Sequence, residues 1–190
     1  FERGLVTTQH TGGLELRWGD PRPAFELLDQ IARREGFGAL LAQGSRALAA
    51  HFGAEELAVH VNNLEVPMHD PRAMSGSALV YVTSPRGACH NQGDYFNVEM
   101  GGSIERLGIP MTDRLEDAGK AHYVARHQDW RTVCNSLVMC FLASACFEHI
   151  VDLLSAATGH DWTLDEMMRA GERAWNLKRA FNCRLGLTRA

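Results

Sequence analysis

Apolar positions in this chain recur mostly at helical spacing and seldom alternate. Asp20-Pro-Arg-Pro23 reads as a helix start, with a capping carboxylate and prolines in the first turn. Leu27, Leu28 and Ile31 supply its apolar stripe, and Gly36 ends it. A second helix is expected from Ala39 to Phe52, with Leu40, Leu41, Ala47, Leu48 and His51 inward and Gly53 as the stop. Asn62-Asn63, Pro67 and Pro71 break the pattern, so Val59 to Arg72 reads as a long ordered loop. A short helix should run from about Pro71 to Val82, broken at Ser84-Pro85, and glycines and prolines make Gly87 to Pro110 irregular. Further helices are predicted from Asp113 to about Cys134, through an apolar segment reaching Gly159, and onward from the capping box Thr163-Leu-Asp-Glu166. Leu164, Met167, Met168, Ala174, Trp175, Phe181 and Leu185 line that last helix. Alternation is brief, at Leu14 to Trp18 and Leu79 to Val82. The pattern predicts an all-α, multihelical bundle with a long irregular loop over its site.

Composition narrows the classes. A 190-residue chain with 45% hydrophobic and 22% charged residues can bury a core as one domain or two small ones. Nineteen basic residues against 23 acidic ones give a net charge of −4, with no basic footprint for nucleic acid or an anionic membrane. The uncharged run Thr132 to Phe147 falls short of the ~20 apolar residues of a bilayer span and carries Asn135, Ser136 and Ser144, so a buried core helix is expected. Phe1-Glu-Arg-Gly has neither the charged n-region nor the apolar h-region of a signal peptide, and both ends read as cuts within a longer protein. Five cysteines without a CxxC pair argue against a disulfide framework and for a reducing, cytoplasmic setting.

Two short stretches carry the candidate chemistry. Ser84-Pro-Arg-Gly-Ala-Cys-His90 ends a loop in a thiol beside an imidazole, and Asn135-Ser-Leu-Val-Met-Cys140 sets a cysteine on an apolar segment that is expected to be buried. On one straight helix Cys134, Cys140 and Cys146 would sit about 120° apart in projection and could not converge on one ion. Read alone, Cys134, Cys146 and Cys183 are small core hydrophobes. Glu65, Asp70, Arg72, Arg86, Asp94 and Glu99 could line a cavity, but a salt bridge or helix cap is the simpler role for each. His10, His51, His122 and His160 read as surface or helix-face residues. No GxGxxG, P-loop, HExxH or GxSxG is present.

Taken in order, these stretches, together with Thr11-Gly-Gly-Leu-Glu-Leu-Arg-Trp-Gly-Asp20, Leu64-Glu-Val-Pro67, Asp70-Pro-Arg72 and Asn176-Leu-Lys-Arg-Ala-Phe-Asn182, resemble the C-terminal helical region of the tungsten-containing aldehyde ferredoxin oxidoreductases. The resemblance implies that residues 1–72 end a middle helical domain and 73–190 form a truncated C-terminal one. It implies that His90 stands beside the metal as the catalytic proton handler. Cys140 would ligate a [4Fe–4S] cluster, and Asn135, Met139 and Cys140 would cradle a pterin. The family pattern there is Asp-x-x-Gly-Leu-Cys, so Asn135 keeps an acceptor oxygen without the charge, and Val138 adds bulk where glycine is expected. Arg86 could face a pterin phosphate.

The implied reaction is aldehyde oxidation to a carboxylic acid by a tungsten (or molybdenum) bis-pterin. Electrons would leave through the cluster to ferredoxin or another acceptor. The rest of the chain upstream is an expected partner, as is a second copy in a homodimer; nucleic acid and membrane are not. Two rivals are a tungsten subunit acting on aromatic acyl-CoA thioesters and a non-catalytic helical interaction module. A thiol enzyme pairing Cys89 with His90 is disfavoured, because sequence neighbours rarely present both side chains to one substrate.

Overall fold

The structure, a computed structural model, describes residues 1–140, 143 and 146–187. It divides into two compact units, Phe1–Glu65 and Val66–Ala190. Among the described residues the secondary structure is helical apart from one two-stranded ribbon and an isolated bridge. None of these helices is long and apolar enough to cross a membrane.

The first unit contains α1 (Arg22–Arg33), α2 (Gly38–Leu41) and α3 (Ser45–His51). The expected second helix is thus two short ones, interrupted at Gly44, whose φ of 90° lies in the region that glycine favours. His51 is exposed rather than inward. The expected loop from Val59 instead opens with a ribbon, β1 (His60–Val61) and β2 (Leu64–Glu65). Asn62 and Asn63 make its turn at φ 50° and 66°, the double left-handed geometry of a tight hairpin. Glu65 then caps α3: its carboxylate accepts from the Ser45 amide at 2.8 Å, which holds the acid below the usual carboxylate range.

The second unit contains α4 (Ser75–Thr83), α5 (Phe96–Glu99), α6 (Lys120–Ser136), α7 (Phe147–Thr158) and α8 (Leu164–Arg184). The predicted capping box holds, with Thr163 accepting from the Glu166 amide at 3.2 Å and Glu166 accepting from the Thr163 amide at 2.9 Å. Helices α6 and α8 lie very close at Gly171, where a Cβ would come within 2.2 Å of the Asp129 carbonyl oxygen. Leu79 to Val82 is helix, not strand.

Helix α6 starts at Lys120, seven residues later than Asp113. Lys120 is buried and its ammonium donates to the Asp113 carbonyl at 2.7 Å, so the preceding segment folds back on the helix instead of extending it. The same ammonium lies 3.2 Å from Glu99, both side chains being almost wholly buried. Glu99 in turn accepts from the amides of Gly76 and Ser77 at 2.7 and 3.0 Å, capping α4 from another element.

Candidate functional site

The loop that follows α4 is held from three sides. The Asn182 side chain of α8 donates to the Pro85 carbonyl. Arg86 donates to the sulfur of Cys89 at 2.8 Å, so this guanidinium is engaged within its own loop. Cys89 is buried, whereas His90 is half-buried and opens a 3₁₀ turn, His90–Gln92. The amides of Gly93 and Asp94 both donate to the His90 carbonyl, at 3.0 and 2.7 Å, which closes the turn.

Helix α6 lies beneath it. Arg131 pairs with Asp94 at 2.8 Å, with both side chains buried. Burial pushes the Asp94 carboxyl up, while the charges of Arg131, His90 and His69 work against that shift. His127, also on α6, meets the Tyr95 ring edge-on and hydrogen-bonds the Gly93 backbone. Its Nδ1 is buried without a hydrogen-bond partner, and burial lowers its pKa to about 4, so it is neutral. Two side chains of one helix thus fix the backbone that carries His90.

His69 completes the cluster. Its ring centroid lies 5.1 Å from that of His90 and 4.2 Å from Phe96, on which it stacks at 10°. The buried Tyr81 hydroxyl donates to the His69 carbonyl at 2.8 Å, and burial raises that phenol to about 12, so it remains a donor. Sequence reasoning passed over His69, which stands alone in a proline-rich loop 21 residues before His90. No local pattern marks it; the Tyr81 anchor and the stack on Phe96 bring it to the site. Two imidazoles and a buried carboxylate thus lie in one patch.

The second predicted stretch lies at the far end of α6. The helix stops at Ser136 with Leu137 as its cap residue, so Cys134 and Cys140 do not share a straight helix. Val138 donates to the Asn135 carbonyl at 3.3 Å and Met139 to the Cys134 carbonyl at 3.0 Å, the paired bonds of a Schellman cap. That motif places its left-handed residue at Val138, whose φ is 56°. The position where the resembled pattern has glycine is therefore the one that needs a glycine's backbone freedom. The turn throws the chain outward, and this corrects the burial expected of Cys140: its thiol is exposed, as is Asn135, while Met139 is half-buried. Cys134 is buried as expected, but Cys146 and Cys183 are exposed and do not belong to a core. The apolar run Thr132 to Phe147 is not one buried helix, and residues 141, 142, 144 and 145 within it lie outside the described residues. Among the described residues no three His, Cys, Asp or Glu side chains converge into a metal site.

The remaining candidates take the simpler roles. Asp70 and Arg72 form an exposed local pair at 2.5 Å, with the Asp70 carboxylate also accepting from the Arg72 amide, and Glu65 and Glu99 are caps.

Comparison with known proteins identifies the family. Residues 1–190 match the family described as "Aldehyde ferredoxin oxidoreductase, domains 2 & 3". The chain is 34% identical to the tungsten-containing aldehyde ferredoxin oxidoreductase of Pyrococcus furiosus, over 98% of this chain and 31% of that protein. It is 33% identical to the one from Pyrococcus horikoshii, with the same coverage. An aliphatic sulfonate oxidoreductase, WOR-like subunit, from Pyrococcus furiosus is 27% identical over 94% of this chain and 26% of its own length. The chain therefore spans about a third of the length of the tungsten-containing relatives it matches. With its helical architecture and an end-to-end family match, this chain belongs to the aldehyde ferredoxin oxidoreductase family.

Proposed function

We propose that this chain is part of a tungsten (or molybdenum) bis-pterin oxidoreductase that oxidises an aldehyde to a carboxylic acid and passes electrons through a [4Fe–4S] cluster to ferredoxin. One observation carries this reading: α6 supports both candidate stretches. Through His127 and Arg131 it holds the His90 loop, and its own C-terminal cap presents Asn135, Met139 and Cys140. Arg131 and Leu137 are six positions apart, about 9 Å along the helix axis.

The residues suit the groups assigned to them. Cys140 offers an exposed thiol that can fill one corner of a four-thiolate cluster. Asn135 offers an exposed amide side chain and Met139, whose amide closes the turn, a backbone carbonyl, both fit to hydrogen-bond a pterin edge. When bound, the metal–pterin group supplies the two-electron acceptor chemistry. Oxidation of the aldehyde takes its second oxygen from water and releases two protons with the two electrons, and His90 receives one of those protons. On this reading residues 1–72 end the middle helical domain and 73–190 belong to the C-terminal one.

The test is made on the full-length protein. Its tungsten, molybdenum and iron are measured, and aldehyde oxidation is assayed with ferredoxin. Cys140→Ser is expected to lose or alter the cluster, and His90→Asn to keep metal and iron while losing most turnover. Unchanged iron in the first variant refutes the ligand assignment; unchanged turnover in the second refutes the proton-handling role.

A further inference from the structure

We propose that the Val138 side chain is an apolar shield over the iron–sulfur cluster held by Cys140, an inference that rests on the cluster reading above. Val138 combines two unfavourable features. Its φ of 56° is a left-handed conformation that is unfavourable for an L-residue, and a β-branched residue is a genuine outlier there. Its side chain is also 91% exposed, so burial within this chain gives almost nothing back. Glycine or asparagine would make the same cap without that cost.

The geometry points to what the side chain covers. The Met139 amide is bonded to the Cys134 carbonyl and the Val138 amide to the Asn135 carbonyl, so Val138 is fixed at the edge of the turn. Cys140 follows two residues on, its Cα within about 7 Å of that of Val138 even along fully extended chain. A cluster on that sulfur is therefore within reach of the valine methyls. Reduction adds one electron to the cluster, with no bond made or broken and no proton taken up, and leaves it more negative. Water stabilises the more negative form, so excluding water lowers the reduction potential. The same methyls hinder attack on the iron.

Full-length Val138→Ala and Val138→Gly proteins test this by redox titration of the cluster and by iron release to a chelator. Alanine keeps the Cβ, and with it most of the backbone strain, but loses both methyls; glycine loses both the methyls and the strain. Both variants are expected to hold the normal amount of iron. The reduced-to-oxidised ratio at a fixed potential should rise about tenfold, which is 59 mV for one electron. Iron should leave at least about threefold faster. Unchanged potential and release in both variants overturn the proposal. A change confined to glycine also overturns it, since relaxation of the cap would then be the cause. If Cys140→Ser keeps all its iron, the underlying cluster reading has failed, and the shield fails with it.

Discussion

The buried pair Lys120–Glu99 should be the most sensitive electrostatic contact of the second unit, and replacing Lys120 by Met tests it. The ammonium lies 3.2 Å from Glu99, with side chains 2% and 0% exposed. It also donates to the Asp113 carbonyl at 2.7 Å. Removing it leaves a carboxylate sealed from water without its counter-ion, and removing one partner of a buried pair costs about 3–5 kcal/mol. Glu99 keeps its bonds from the Gly76 and Ser77 amides and the Ser77 hydroxyl, which places the loss near the lower end, at about 3 kcal/mol. Hydrogen exchange at the Ser77 amide reports the local opening, and that loss is roughly a 100-fold faster exchange. Glu99→Gln combined with Lys120→Met removes both charges and keeps an acceptor at the start of α4. The double variant should therefore lose less than the two single losses added together, by about 2 kcal/mol. Salt between 0.1 and 1 M, roughly the range over which exposed pairs are screened, should leave the exchange almost unchanged. Exchange accelerated less than about threefold in Lys120→Met, or strictly additive losses, would refute the reasoning.

Other perturbations follow from the same contacts. His127 is buried with its pKa lowered to about 4 from 6.5, so the unfolded chain binds its proton first as pH falls. The stability that neutral His127 contributes is complete above about pH 6.5 and is lost progressively toward pH 4, a change of up to about 3 kcal/mol. Denaturation followed against pH should show this slope, and His127→Phe should flatten it. Gly171→Ala should destabilise by about 3 kcal/mol, despite alanine's better helix propensity, because its Cβ would fall 2.2 Å from the Asp129 carbonyl oxygen; equal or higher thermal stability would disprove the close helix contact. Tyr81→Phe removes the donor to the His69 carbonyl and should cost about 1 kcal/mol. Its turnover should fall with metal and iron unchanged; an unaltered turnover would show that the His69 loop needs no such anchor.

Local devices were legible in the sequence. The Thr163 box, the prolines opening α1 and the glycine after α7 each act within a few residues, so a one-dimensional reading finds them. His90 was visible from the loop that carries it. The hairpin was obscured because its strands hold two residues each and its signal is the pair Asn62-Asn63, equally at home in a loop. The outward turn at Val138 was invisible because valine is the wrong residue for it, and the surrounding hydrophobicity argued for burial. His69 and Arg131 gave no sign, since each becomes part of the site only through a contact with a distant element.

Helix α6 was expected, though its start was placed seven residues early, and its buried face is not the apolar stripe of a plain bundle. Lys120, Val124, His127, Gln128 and Arg131 recur at intervals of three and four and are all buried. In a plain bundle that stripe would be leucine and valine. Here four of the five are polar, because their partners are not apolar helix faces. Lys120 holds the Asp113 carbonyl and Glu99, His127 holds Gly93, Gln128 donates to the Thr83 hydroxyl at 2.9 Å, and Arg131 holds Asp94. Irregular backbone buried in a domain needs such partners, since each unmet polar group costs about 1–3 kcal/mol. An apolar stripe would pack at least as stably against another helix but could not fix a loop's carbonyls, amides and carboxylates in place. The polar core of α6 is therefore what a helix requires in order to hold a glycine-rich loop, and the imidazole on it, in one conformation.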